Sequence, residues 1–128
     1  MDASHEEPGP GGAGTAMLGG VVVLDFATVG PAARASRILS DYGASVIKVG
    51  AVPNAGGVQI APPHFVYGGG RGMRRIQVDL KSDGGREAFM RLAATADVVI
   101  ESFRPGVLGR LGVGYDDLCS VNRSIIYC

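Results

Sequence analysis

The chain has 128 residues, 46% of them hydrophobic and 19% charged, with twelve Lys+Arg balanced by twelve Asp+Glu. This is the composition of one folded domain, and it argues against both a disordered polyampholyte and a strongly basic nucleic-acid binder. No apolar run reaches the roughly 18 residues of a membrane span, the start carries Asp2, Glu6 and Glu7 with no basic stretch, and Cys119 and Cys128 have no second pair or histidine cluster beside them, so a membrane protein, a secretory signal, a disulfide scaffold and a metal site are disfavoured and a reduced, cytoplasmic setting is expected.

Residues 1–20, rich in Gly, Pro and acidic side chains, read as a mobile leader with little role in the fold. Val21, Val22, Val23, Leu24 and Phe26 then form an apolar run without alternation, the pattern of a strand buried on both faces of a parallel sheet. Gly30 and Pro31 open a helix in which Ala35, Ile38, Leu39 and Tyr42 share one face, and Gly43 ends it. Ser45 to Val49 is a second strand, followed by a long loop from Gly50 to Gly72 that is rich in glycine and contains Pro53, Pro62 and Pro63. Ile76 to Leu80 reads as a third strand. A helix starting near Asp83 carries Phe89, Leu92, Ala93 and Ala96 on one face, with Glu87 and Arg91 as a supportive pair on the other. A fourth strand from Asp97 to Glu101, a turn from Ser102 to Gly106, a helical turn from Val107 to Leu111, a short helix from Tyr115 to Val121 and a last strand from Ser124 to Tyr127 complete the pattern. Strands alternating with helices predict an α/β fold with an open, mostly parallel sheet. The pattern stops on a strand with nothing after it, so a fragment or a natural truncation is expected.

Ligands of such sheets bind beyond the carboxyl ends of the strands, which places interest on Ala27 to Pro31, Gly50 to Pro53, Asp79 to Ser82 and Ser102 to Gly106. Between residues 71 and 110 eight basic residues face five acidic ones, and Arg71, Arg74, Arg75, Lys81, Arg104 and Arg110 form a candidate anion site, since arginine forks suit phosphate oxygens. The same arginines are equally readable as ordinary solvated surface residues. No G-x-G-x-x-G follows the first strand, which disfavours a nicotinamide-dinucleotide enzyme. His5 and His64 lack triad partners, Asp25 reads as a strand-end carboxylate bonded to backbone, and Cys119 as a small core residue. No nucleophile stands near a base.

The stretch VVVLDFATVGPAARASRILSDYGASVIKV resembles the opening of the family III CoA-transferases, the group that contains formyl-CoA transferase, carnitine CoA-transferase and α-methylacyl-CoA racemase. The run from RRIQVDLKSDGGREAF onward continues the resemblance to Tyr127, and DVVIESFRPGVLGRLG is its most specific piece. The resemblance implies that residues 21–128 are the N-terminal, Rossmann-like, CoA-binding segment of a longer, homodimeric enzyme whose ligand is coenzyme A or an acyl-CoA. It implies CoA-site roles for Val78, Asp79, Leu80 and Lys81, for Ser102, Phe103 and Arg104, and for Arg110 toward the phosphates. Phosphate charges and a stackable adenine suit an aromatic ring beside guanidinium groups.

Two departures from the family's pattern stand out. Gly50, Ala51 and Val52 occupy the place where the family shows an acidic residue followed by an arginine, and the loop before the first helix is shorter, which weakens a role for Val29 and Gly30. In the family the catalytic carboxylate of the transferases and the His and Asp of the racemases lie downstream of Cys128, so the expected function is CoA binding for transfer of CoA between carboxylic acids, with epimerisation at an α-carbon as one alternative and a non-catalytic binding module as another.

Overall fold

The computed structural model describes residues 16–53 and 69–128. His5 and His64 lie outside the described residues, as do the first fifteen residues of the expected leader and most of the loop after the second strand. The elements run β1 (Val22–Asp25), α1 (Gly30–Asp41), β2 (Ser45–Gly50), β3 (Arg74–Gln77), α2 (Asp83–Ala93), β4 (Val98–Ile100), α3 (Val107–Arg110), α4 (Tyr115–Val121) and β5 (Ile126–Tyr127). The five strands form one sheet in the order β3-β2-β1-β4-β5, and every pairing is parallel. The expected α/β architecture is therefore present.

Both faces of the central strands are buried, as their mainly apolar sequences require, with Asp25 and Lys48 the charged exceptions. On one face Leu24, Ile47 and Val99 pack against Phe89 and Ala93 of α2, Leu108 of α3 and Leu118 of α4. On the other, Val23, Val46 and Ile100 meet Ala32 and Leu39 of α1 together with Leu18 and Met73. Residues 16–20, read from the sequence as part of an idle leader, make a turn whose Leu18 N–H donates to the Tyr42 carbonyl at 2.9 Å and whose side chain joins this second cluster.

Helix α1 has Pro31 in its first turn and closes at Gly43, whose φ of +99° is a conformation that favours glycine. The apolar stripe read from its sequence is only partly covered: Ser36 is the buried residue, its hydroxyl donating to the Ala32 carbonyl at 3.0 Å, while Ile38 and Tyr42 are about half exposed. Helix α2 begins where expected. Ser82 caps it by accepting the Gly85 N–H at 3.1 Å, and the Glu87–Arg91 pair forms at 2.7 Å.

Strand β3 differs from the sequence expectation by two residues at its start and three at its end. It enters the ladder at Arg74, opposite Ile47, and leaves it after Gln77. An edge strand with one neighbour can place Arg74 and Arg75 toward solvent, so charged residues join a ladder that apolar patterning alone would begin at Ile76. Val78, Asp79 and Leu80 are thereby released from the strand to form a wall beyond its carboxyl end.

Candidate functional site

The strand order reverses between β1 and β4, since the chain winds outward through β2 and β3 and then returns to the other side of β1. The residues just past those two strands flank a crevice at that switch point, the usual ligand position in an open parallel sheet. Phe26 follows β1 and Phe103 follows β4. Together with Gly50 and Ala51 from the end of β2, Val78 to Lys81 from the end of β3, and Leu108 and Leu111 from around α3, they line a cleft of about 160 Å³.

Each wall has a local cause. The Asp79–Lys81 turn is folded on itself: the Asp79 carboxylate accepts the Lys81 N–H at 3.0 Å, and the Asp79 carbonyl accepts the Ser82 hydroxyl at 2.9 Å and the Ser82 N–H at 3.1 Å. This couples the wall to the cap of α2, and it fits only because residue 85 is glycine. A Cβ there would stand 1.9 Å from the Asp79 carbonyl oxygen. The Ser102–Gly106 turn is held from below by Glu101, whose carboxylate accepts the Phe103 N–H and, at 3.4 Å, the Tyr127 hydroxyl. Burial, and after it the Glu101 charge and hydrogen bond, push the Tyr127 phenol above its ordinary value of 10.0. Gly106 has φ of +80°, and its missing Cβ would come within 3.2 Å of Arg110 Nη1, so the Arg110 guanidinium lies beside the Arg104–Pro105–Gly106 turn.

The aromatic residues form a short stack. The Phe26 ring lies 5.3 Å from Phe89 and 6.0 Å from Phe103, tilted to both. Phe89 is sealed in the core, whereas Phe103 is 45% exposed. Behind Phe26, on the opposite face of the sheet, the Lys48 ammonium pairs with the Asp25 carboxylate at 2.6 Å, both side chains buried.

Of the residues singled out from the sequence, Val78, Asp79, Leu80, Lys81 and Phe103 come together as cleft lining, and Ser102, Arg104 and Arg110 stand exposed on or beside the adjoining turn. The six-residue basic cluster does not hold together. Arg74 bonds the Ser45 hydroxyl at 2.7 Å at the amino-terminal start of β2, and the Arg71 carbonyl is bound by Arg37 of α1, so these side chains sit at the end of the sheet away from the cleft. The cause is the earlier start of β3, which also puts Arg75 inside the ladder opposite Lys48. Val29 and Gly30 are exposed and outside the cleft lining. Sequence reasoning missed Phe26, Leu108 and Leu111 as lining residues and missed the Asp25–Lys48 pair. The pair had a signal: Asp25 and Lys48 are each the fourth residue of their strands, and parallel pairing in that register makes them neighbours.

Among the described residues, no group of three or more His, Cys, Asp or Glu side chains is placed to hold a metal ion, and no helix is long and apolar enough to cross a membrane.

The family model described as CoA-transferase family III matches residues 18–128. The chain belongs to CoA-transferase family III. It is 42% identical over 118 residues to a probable fatty acyl-CoA transferase of Mycobacterium tuberculosis, a match that covers 86% of this chain and 30% of that protein. A crystal structure of that mycobacterial protein superposes with a TM-score of 0.74, covering 86% of this chain and 30% of the other. The mouse α-methylacyl-CoA racemase is 33% identical over 111 residues, covering 87% of this chain and 27% of the racemase. The family III chain therefore spans about 30% of the length of the relatives it matches, and the sequence-based family resemblance holds.

Proposed function

We propose that this family III chain binds coenzyme A or an acyl-CoA in the cleft at the β1–β4 switch point and supplies the nucleotide-holding part of a CoA-transfer reaction between carboxylic acids. The observation that carries the reading is the convergence of the Val78–Lys81 turn and Phe103 on one apolar cleft, with Arg104 on the adjoining turn and Arg110 beside it. An adenine or pantetheine segment fits against apolar walls and an aromatic face, while diphosphate and ribose phosphate oxygens suit guanidinium forks at the rim. The polar groups of the Asp79 turn are engaged in holding its shape, so its role is to present backbone and the Val78 and Leu80 side chains rather than to act as an acid or base.

Transfer and epimerisation both require the thioester of CoA to be held. The match to a racemase as well as to transferases supports reading this portion as the ligand-holding part common to both chemistries. The binding test is isothermal titration of the 128-residue chain with CoA, alongside Phe103→Ala. Saturable binding, weakened about five- to thirtyfold by loss of one stacking face, is expected, the effect of about 1–2 kcal/mol for an aromatic contact with a base. Binding of equal strength in Phe103→Ala would reject the cleft as the site.

A further inference from the structure

The Asp25–Lys48 pair is buried on the face of the sheet opposite the cleft, and it does more than join two strands. Asp25 Oδ1 accepts the Ala27 N–H at 2.6 Å, Asp25 Oδ2 receives the Lys48 ammonium at 2.6 Å, and the same ammonium donates to the Ala27 carbonyl. Both polar backbone groups of Ala27 are thus gripped from behind. Alternation along the chain sends Asp25 and Ala27 to one face and Phe26, between them, to the other. The Phe26 N–H is itself tied to the Ile100 carbonyl at 2.9 Å, across the switch point. The direction in which the Phe26 ring leaves the sheet is therefore over-determined, and that ring is the platform on which the half-exposed Phe103 rests.

We propose that the Asp25–Lys48 pair is a positioning clasp for the aromatic wall of the cleft: by fixing the backbone on both sides of Phe26 it fixes the surface against which Phe103 closes on a bound planar group. Asp25 and Lys48 are positioning residues, with no contact to ligand. This rests on the reading of the cleft as a CoA site. Ladder hydrogen bonds and the Val23, Leu24, Val46 and Ile47 side chains already join β1 and β2, so a buried charge pair is not required for their association. Apolar or neutral side chains of similar volume commonly replace such pairs without loss of stability, whereas removing one partner alone leaves a buried charge uncompensated.

The experiment uses the full chain carrying Phe103→Trp, which introduces an indole into a protein that has no tryptophan. Its emission anisotropy and the dissociation constant for CoA are measured with the clasp intact, in the double variant Asp25→Asn/Lys48→Met, and in Lys48→Arg. The double variant removes both charges of the pair and both bonds of the ammonium, and leaves the Ala27 N–H only the amide oxygen of the new asparagine as acceptor. Lys48→Arg keeps the charge but carries it on a longer, planar guanidinium in place of the compact ammonium that bonds both Asp25 and Ala27. The clasp predicts a melting midpoint within a few degrees of the parent, lower indole anisotropy, and CoA binding weakened about tenfold in the double variant and less in Lys48→Arg, since small misplacements of positioning groups are costly. If the double variant does not fold, Lys48→Arg carries the test with the same expected signs. Unchanged anisotropy and unchanged affinity in a folded variant would overturn the clasp. A parent that binds no CoA refutes the ligand reading instead, and the anisotropy difference then still decides whether the pair sets the aromatic wall.

Discussion

Adjacent glycines at the start of α2 should respond in opposite directions to the same substitution. Gly84 and Gly85 both lie in the first turn of the helix, and a Cβ on Gly84 would meet nothing within 4 Å. Gly84→Ala therefore removes backbone freedom from the unfolded chain without a clash, and a gain of about 0.5–1 kcal/mol is expected. At Gly85 the same methyl would stand 1.9 Å from the Asp79 carbonyl oxygen, 2.7 Å from its carbon and 2.9 Å from Ser82 Oγ. Two of those atoms are backbone, so relief requires the Asp79–Lys81 turn to move by more than an ångström. Overpacking of this kind costs about 1–3 kcal/mol, and the two Ser82 hydrogen bonds to the Asp79 carbonyl are worth about 1 kcal/mol each. Set against the same propensity gain, Gly85→Ala should lose about 2–4 kcal/mol net. Circular-dichroism melts and urea titrations of both variants read this directly, with about 3–6 °C per kcal/mol for a chain of this length. Equal shifts of the same sign would refute the close approach of the turn to the helix. The structural coupling adds a second readout, because Gly85→Ala displaces a wall of the cleft and should weaken CoA binding, whereas Gly84→Ala should not.

Asn122 follows α4 and bridges back to the end of α2, donating to the Ala96 carbonyl at 2.7 Å and the Ala93 carbonyl at 3.2 Å while accepting from Ser124. Asn122→Ala should cost about 1–3 kcal/mol in urea titrations by removing its bonds to the Ala93 and Ala96 carbonyls, of which Ala93 keeps the Ala96 N–H as a second partner; a loss below about 0.5 kcal/mol, the range of an ordinary surface change, would contradict that role. The Tyr127 phenol titrates above its ordinary 10.0, so its contribution to stability is fully present below pH 10.0 and is lost as pH rises through the raised folded value. Melts across that range should show the parent losing stability relative to Tyr127→Phe only on the alkaline side, and a parallel pair of curves would refute the burial of the hydroxyl against Glu101.

The sheet was legible because its central strands are buried on both faces. Such strands read as apolar runs, and Val22 to Leu24 and Val98 to Ile100 do so without a break, while in Val46 to Val49 only Lys48 interrupts. Turn chemistry was equally readable where a residue type is forced, as at Gly43 with its φ of +99°. The edge strand β3 was misplaced because an edge tolerates Arg74 and Arg75, whose polarity hides them from an apolar pattern. Half of the basic cluster fell away for the same reason, since a two-residue shift at the start of a strand moves its arginines to the far end of the sheet. Phe26 was visible as a strand residue but not as a cleft wall: that role needs the reversal of strand order that brings Phe103 beside it, which is a long-range property. The α1 stripe was read correctly as apolar, yet Ile38 faces an apolar groove of about 630 Å³ formed with Val98, Ile100 and Ile126 rather than a filled core. Periodicity reports which face is apolar and not what covers it.

The most direct test of the central claim is a thermal-shift titration of the 128-residue family III chain with CoA, run beside Arg104→Ala/Arg110→Ala. Both arginines are exposed, so their removal should leave the ligand-free midpoint almost unchanged. A ligand that binds only the folded chain stabilises it by about 2.7 kcal/mol at a hundred times its dissociation constant. A CoA-dependent rise of several degrees is expected in the parent, and its loss in the double variant at the same concentrations. A cooperative melt that CoA does not move, or one that it moves equally in both proteins, would contradict the assignment of the switch-point cleft and its arginine rim to CoA.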